Sequence, residues 1–559
     1  MSGPTLPDVL RQLSCLAEVR GSLEAADLRA AVAVIDALPR QRGSALLQTL
    51  QWGGASELPV TALADRVITE IATLGAEPVL AAARLRIPSL FRQLLDSGAI
   101  THDQASHLAC DFGIVTIADL QAAIDEHRLE RLPLATLERL ARAAETLSAQ
   151  GTAVPLGRAM DLLELLQQTI RLHCPAIEET MIAGGARRFE PLVSDLVLVA
   201  RTSTPVAAVD AVSTAPGIEQ LLHRSGRRLL IEVQHVEVDI RLAAPDDYGT
   251  VLFAATGSRE HVKTVMRIRP RPELCARETD VYTHAGLPLI PAEMRGGGGE
   301  IEAAAAGRLP RLVERRDIRG DLHMHSTYSD GQDAIEIMVA AAAALGYDYI
   351  AITDHSEHAG ASRTVNVDRL SRQRDEIDRI RELFPHFTIL HGAEVDILAN
   401  GHLDFSDAIL GRLDIVIASL HERAQQDGPA LTRRCIRAMR HPLVNIISHP
   451  ANQLVGRRAG YPLEYERIYE AAVETGTALE IDGAPSHLDL DGEHARAAVA
   501  AGVTVTIDSD SHRARALDRQ MRLGIGTARR GWVEARHVLN ARPIAEVRAW
   551  IEAKRSRSR

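Results

Sequence analysis

Residues 321–331 read Asp-Leu-His-Met-His-Ser-Thr-Tyr-Ser-Asp-Gly, and they open a series that runs to His512. Short apolar runs end, one after another, on an imidazole or a carboxylate. The series continues through Thr353-Asp354-His355, Gly392-Ala393-Glu394, Ser419-Leu420-His421 and Ser448-His449-Pro450, and closes in Asp508-Ser509-Asp510-Ser511-His512. His323, His325, Asp330, His355, Glu394, His421, His449, Asp510 and His512 make nine candidate ligands. A lone His-x-His is weak evidence for a metal; the repetition at successive segment ends is what points to a polynuclear site.

The runs themselves, Tyr349–Thr353, Phe387–Leu390, Ile415–Ile417, Val444–Ile447, Thr477–Leu479 and Val503–Ile507, are β-rich and nearly unbroken in apolar character. That pattern predicts buried parallel strands. Helical stretches such as Ala334–Leu345 and Val367–Phe384 lie between them, which predicts a parallel barrel or sheet under an outer helical layer. In (β/α) barrels the chemistry sits at the C-terminal strand ends, where these ligands fall. Nitrogen and oxygen donors without thiolate favour Zn²⁺, Mn²⁺ or Fe²⁺ over Mg²⁺ or Ca²⁺. Nine donors exceed the needs of one ion, so two or three are expected, with Glu394 as the candidate bridge. Clustered ions acidify bound water and clamp the oxygens around phosphorus, which predicts phosphoester hydrolysis. Asp354 and Asp508 are expected to orient imidazoles, while His358, His391, His402 and His441 read as ordinary or outer residues.

On these motifs the segment from about Arg319 to Asn540 resembles the PHP (polymerase and histidinol phosphatase) family. The resemblance implies a distorted (β/α)7 barrel, a trinuclear Mn/Zn-type centre and phosphoesterase activity at the nine residues. The flanks Leu289–Ala304, Leu309–Gly320 and Ala528–Asn540 are similar to bacterial X-family DNA polymerases of the PolX type, which carry a C-terminal PHP domain. The likeness covers nearly the whole chain and implies a multidomain α and α/β protein. Its units would be a helical 8-kDa-like and helix-hairpin-helix region (1–148), a nucleotidyltransferase-like α+β palm and thumb (149–295), a linker (296–318) and the PHP barrel (319–559).

Bulk properties agree with several domains, because 559 residues are too many for one core. Five scattered cysteines lack metal or redox spacing and fit a reducing cytoplasm. Neither a basic, apolar leader nor a membrane-length apolar run is present, so no membrane partner is expected. The net charge of -11 sits awkwardly with DNA binding, and Lys263 and Lys554 are the only lysines. A lysine-free N-terminal region excludes Schiff-base lyase chemistry there.

Helix-hairpin-helix elements grip phosphate with backbone N–H groups of a Gly-x-Gly turn. The matching turns here, Leu58–Ala62, Ser97–Ile100 and Leu132–Thr136, retain only Gly98, so a scaffold role is expected. Gly184-Gly185-Ala186-Arg187-Arg188 and then Asp195-Leu196-Val197 resemble the nucleotidyltransferase motif, and Asp239 matches its third aspartate. Residues i and i+2 of a strand share a face, so Val197 stands where a second metal-binding carboxylate is needed. The resemblance thus implies a degenerate nucleotide site at Arg187, Arg188, Asp195 and Asp239, where Mg²⁺ would lack a ligand. Glu237 could substitute, although an exposed edge-strand charge is its ordinary reading. Arg224, Arg227, Arg228, Arg267, Arg269, Arg271, Arg433, Arg434, Arg437, Arg457 and Arg458 are weighed as a phosphate path, and Lys554–Arg559 as a frayed tail. The expected activity is removal of nucleotides or phosphate from DNA 3′ ends in repair, with polymerase activity weak or lost. The alternatives are residual DNA polymerisation, or a phosphatase of a small phosphorylated metabolite.

Overall fold

A computed structural model describes residues 4–38, 49–51, 58–149, 153–268, 274–360 and 363–556. Arg269 and Arg271 of the arginine path lie outside these residues. The described N-terminal residues are largely helical, from Leu6–Val19 to Leu134–Ala149, around a core that includes Leu10, Leu16, Ile68, Phe91 and Leu108. Gly98 (φ +67°) ends a helix: its N–H and that of Ala99 donate to Leu95 and Leu94 carbonyls. Those donors are spent on the helix terminus rather than turned toward a phosphate.

The middle region contains β1 (Val154–Pro155), β2 (Glu179–Ala183), β3 (Leu192–Val193), β4 (Leu196–Arg201), β5 (Gln220–Arg224), β6 (Arg228–Val233) and β7 (Val236–Ala243). β1 and β3 form a small ribbon, and the rest form a sheet in the order β2-β4-β7-β6-β5. β4 and β7 run parallel, with Val197 beside Asp239. Residues 300–305, inside the segment expected as a linker, form a helix whose Ile301 and Ala304 are buried with Phe253, Tyr282 and Leu312. Glu300 is buried there too, 2.6 Å from His261 Nδ1.

The barrel follows: β8 (Gly320–Asp321), β9 (Tyr349–Ile352), β10 (Thr388–Asp396), β11 (Ile415–Ser419), β12 (Ile446–Ile447), β13 (Ala478–Asp482) and β14 (Val505–Asp508). All seven are parallel and adjacent in chain order, and a Met324–Ser511 bridge joins the first strand's extension to the last. This is the expected (β/α)7 barrel, nearly closed. Alternation along the strands sends Ile350 and Ile352 outward to helices, and Tyr349 and Ala351 inward. Val547 and Ile551 of helix Ile544–Ser556 plug the inner cluster. Lys554 of that helix is buried and donates to the Met439 carbonyl at 3.0 Å and to Thr477 Oγ1. Lys554 and Arg555 are therefore helical and packed, not frayed, because both find acceptors at the barrel's base, while residues 557–559 of the expected tail lie outside the described residues.

The middle region is clamped to the barrel. Arg519 makes a two-pronged pair with Asp161 (2.8 Å each), and Arg522 pairs with Glu164 (2.6 Å). Phe189 lies so close over Gly526 that a Cβ there would stand 1.9 Å from the ring. Among the described residues no helix is long and apolar enough to cross a membrane.

Candidate metal centre

Each nominated residue comes from a loop or strand end at the C-terminal mouth of the barrel, and the fold brings all nine into one cluster. His323 and His325 follow β8 and His355 follows β9; Glu394 lies near the end of β10. His421, His449, and the Asp510–His512 pair follow β11, β12 and β14. His325, Asp330, His355 and His512 form one donor group; His323, His325 and Asp510 a second; His355, Glu394 and His421 a third. His325 is stacked between His355 and His512, 4.3 Å from each ring.

Glu394 is at the centre. Its Oε1 lies 2.9 Å from His449 Nε2 and 3.2 Å from His421 Nε2. Its Oε2 lies 2.7 Å from His355 Nδ1 and 3.5 Å from His323 Nε2. Ser419 Oγ also donates to Oε1 at 2.6 Å. Burial alone would raise this carboxyl, but His421, His355 and His323 outweigh it and hold Glu394 well below the usual carboxylate range. Burial and the neighbouring His355 and His512 push His325 down to about 3, so that it stays a neutral donor. Burial depresses His421, yet Glu394 and Asp396 prevail and lift it to about 10.

The donor set fits divalent cations. Glu394 Oε2, His355 Nδ1 and His449 Nδ1 are buried without a correctly aligned hydrogen-bond partner. Buried polar atoms are rarely left so, and cations beside them would meet the unspent lone pairs. Imidazole and carboxylate without cysteine suit borderline ions.

The supporting acids differ from the expected ones. Asp354 accepts from Ser326 N (2.8 Å) and Ser329 N (3.0 Å), and Asp508 from Leu322 N (2.7 Å). Both fix loop backbone and touch no imidazole. The rings are oriented instead by Glu480, 2.7 Å from His323 Nδ1, and by Asp396 on His421 Nδ1. Sequence reading missed these two because it ended the sixth and third barrel strands at the last apolar residue. The strands run on into polar residues at the barrel mouth, and continuing the period-two alternation would have found them. His358, His402 and His441 pair outside the cluster with Asp404, Arg437 and Asp407, as an outer placement requires. His391 is buried against Gln373.

The palm residues meet a different fate. Asp239 accepts from Arg228 Nε (2.7 Å) and Nη2 (2.9 Å), and from Arg241 Nε (2.9 Å). Arg228 also reaches Asp119 of the N-terminal region at 2.9 Å. Val197 is buried in register with Asp239, and Asp195 is half-buried, its carboxyl pushed up by burial. A side chain at Gly185 would meet Glu190 at 2.4 Å. Arg187 is held two-pronged by Glu278 (2.9 and 2.8 Å), and Arg188 by Glu190 and the Thr256 carbonyl.

Glu237 offers no replacement ligand. It sits on β7, an interior strand, and accepts from Ser89 N at 2.7 Å and Ser89 Oγ at 2.9 Å at the start of helix Ser89–Asp96. It is neither a substitute ligand nor an exposed edge charge; it joins the N-terminal helices to the sheet. Of the arginine path, Arg224, Arg227 and Arg228 pair with Asp210, Asp247 and Asp239, and Arg434 is buried on the Ile397 and Glu422 carbonyls. Arg267, Arg433, Arg437, Arg457 and Arg458 remain exposed, with Arg458 tied to Asn452 in the turn beyond His449.

A family model, the PHP domain, matches residues 321–481, which span β8 to most of β13. The chain is 33% identical over 168 residues to a probable phosphatase of Syntrophotalea carbinolica, covering 29% of this chain and 64% of that one. A solved histidinol phosphate phosphatase from Lactococcus lactis, complexed with zinc, L-histidinol and phosphate, covers 38% of this chain and 93% of its own, at 20% identity and TM-score 0.32. By barrel and matched domain the protein is a metal-dependent phosphoesterase of the PHP class. Over 509 residues it is 32% identical to the DNA polymerase/3′-5′ exonuclease PolX of Bacillus subtilis, covering 87% of this chain and 89% of that protein. The chain belongs to the PolX family.

Proposed function

We propose that the barrel hydrolyses phosphoester bonds at DNA 3′ ends and that the palm no longer extends them. The placement of Glu394 carries the first half: its two oxygens face different imidazole sets, as a bridge between cations requires. The nine side chains would hold two or three ions of the Zn²⁺, Mn²⁺ or Fe²⁺ kind. When bound, such ions polarise phosphoryl oxygens and acidify water. Glu394 stays anionic among its histidines, Glu480 and Asp396 fix two rings, and Asp354 holds the loop that carries Asp330. The exposed Arg457 and Arg458 beyond His449 would meet a phosphate backbone at the barrel mouth. The kinship with a protein named as polymerase and 3′-5′ exonuclease supports DNA as substrate.

For the palm, Val197 beside an Asp239 already paired with two arginines supports loss of the two-metal chemistry. The N-terminal helices reinforce this, since Asp119 and Ser89 are bonded onto the same sheet. The test is hydrolysis of 3′-labelled single-stranded or gapped DNA against a panel of phosphomonoesters, with Mn²⁺ and after chelation, alongside nucleotide incorporation by wild type and Asp239→Ala. We expect Mn²⁺-dependent release of 3′ nucleotides and equal background incorporation in both proteins. The net charge of -11 favours a second reading, a phosphatase of small phosphorylated metabolites, and strong preference for monoesters in the panel would select it.

A further inference from the structure

Six of the seven barrel strands deliver at least one of the nine donors at or beyond their C-terminal ends; β13 delivers none of them. Its last residue is Asp482, which is 0% exposed. Asp482 Oδ1 accepts from Ala484 N at 2.6 Å, while Oδ2 is buried with no hydrogen-bond partner. The loop that follows carries His487, whose Nδ1 is likewise without one. Gln453 fixes this loop by donating to the His487 and Leu488 carbonyls at 2.9 and 3.0 Å. The His487 ring stacks on His449 at 5.0 Å and 20°, which sets it directly beside the cluster. Donor atoms of Asp482, His487 and Asp510 come within 4.8 Å of one another. Asp510 is already near His325, with Oδ1 3.0 Å from Nε2, so it borders both groups.

Two carboxylates and an imidazole are a donor set for a borderline divalent cation. A wholly buried carboxylate oxygen facing no donor is unfavourable unless a cation meets it. Resting on the reading of the nine residues as cation ligands, we infer that Asp482, His487 and Asp510 form an additional divalent-cation position on the β13 side of that cluster. With three protein donors, one of them on a partly exposed histidine, it binds more weakly than the core and fills last.

The test uses the full chain loaded with Mn²⁺, read by anomalous diffraction and by metal content per chain across a Mn²⁺ titration, for wild type, Asp482→Asn and His487→Gln. The expected result is an anomalous peak between Asp482, His487 and Asp510 that disappears in both variants while the core peaks stay, with one equivalent fewer per chain at saturation. Core peaks in wild type without that extra peak, or unchanged stoichiometry in the variants, would overturn the inference alone. Wild type that binds no Mn²⁺ at all would overturn the nine-donor reading as well. His487 is partly exposed, so His487→Gln decides the matter if Asp482→Asn fails to fold.

Discussion

Glu480 Oε1 lies 2.7 Å from His323 Nδ1, and both side chains are wholly buried. The contact fixes the ring so that Nε2 faces Asp510 and Glu394. Carboxylates that orient ligating imidazoles typically contribute about 10- to 100-fold in metal affinity or activity. Glu480→Gln is expected to lose a factor in that range in both, measured as Mn²⁺ affinity and hydrolysis rate.

Removal of metal should be more severe. Chelation is expected to abolish hydrolysis, with recovery on adding Mn²⁺. Glu394→Gln should not recover at any Mn²⁺ concentration, because each Glu394 oxygen faces two imidazoles and the amide nitrogen that replaces one of them offers no lone pair to a cation. Its metal content, measured on purified protein, should fall below that of wild type.

On the proposed reading of the palm, aspartate at Val197 should not confer polymerisation. The new carboxylate would be buried beside Asp239, whose own oxygens are engaged by Arg228 and Arg241. An uncompensated buried charge costs on the order of 3 to 5 kcal/mol. Val197→Asp is therefore expected to lower the melting temperature without nucleotide incorporation above background.

The Asp239 pairings also make a pH prediction. Burial opposes the charge, but Arg228 and Arg241 prevail and hold this carboxyl below its ordinary value. The stabilisation is complete above the unfolded value of about 3.9 and is lost as pH falls through the folded one. Asp239→Asn should be clearly less stable than wild type at neutral pH, and the gap should narrow at acid pH in thermal unfolding.

At the barrel's base, Lys554→Met removes the donor to the Met439 carbonyl and Thr477 Oγ1. Leaving a buried acceptor unmet costs about 1 to 3 kcal/mol. Denaturant unfolding should register that loss while metal content stays unchanged.

The barrel was legible because its strands are apolar on both faces, and because ligands recur at a fixed place in six of its seven units. His323 through His512 could be named without coordinates for that reason. What escaped, Glu480, Asp396, Asp482 and His487, lies where strands pass from the apolar barrel into its polar mouth, and hydrophobicity alone ends a strand too early there. Glu237 and Lys554 escaped for another reason: their partners, Ser89 and Met439, are more than a hundred residues away in the chain. Local pattern carries no record of such pairings. The departure at Val197 was readable from motif spacing, and Arg241 lies two residues from Asp239 on the same strand, whereas Arg228 came to Asp239 only once β6 was paired with β7.

Phe189 over Gly526 gives the two halves a shared fate. A barrel excised ahead of β8 would bare an aromatic-sized notch on helix Leu517–Arg530, with Leu523 and its neighbours turned to solvent. The region that precedes it thus serves as upholstery for the hydrolase, whatever chemistry that region keeps of its own.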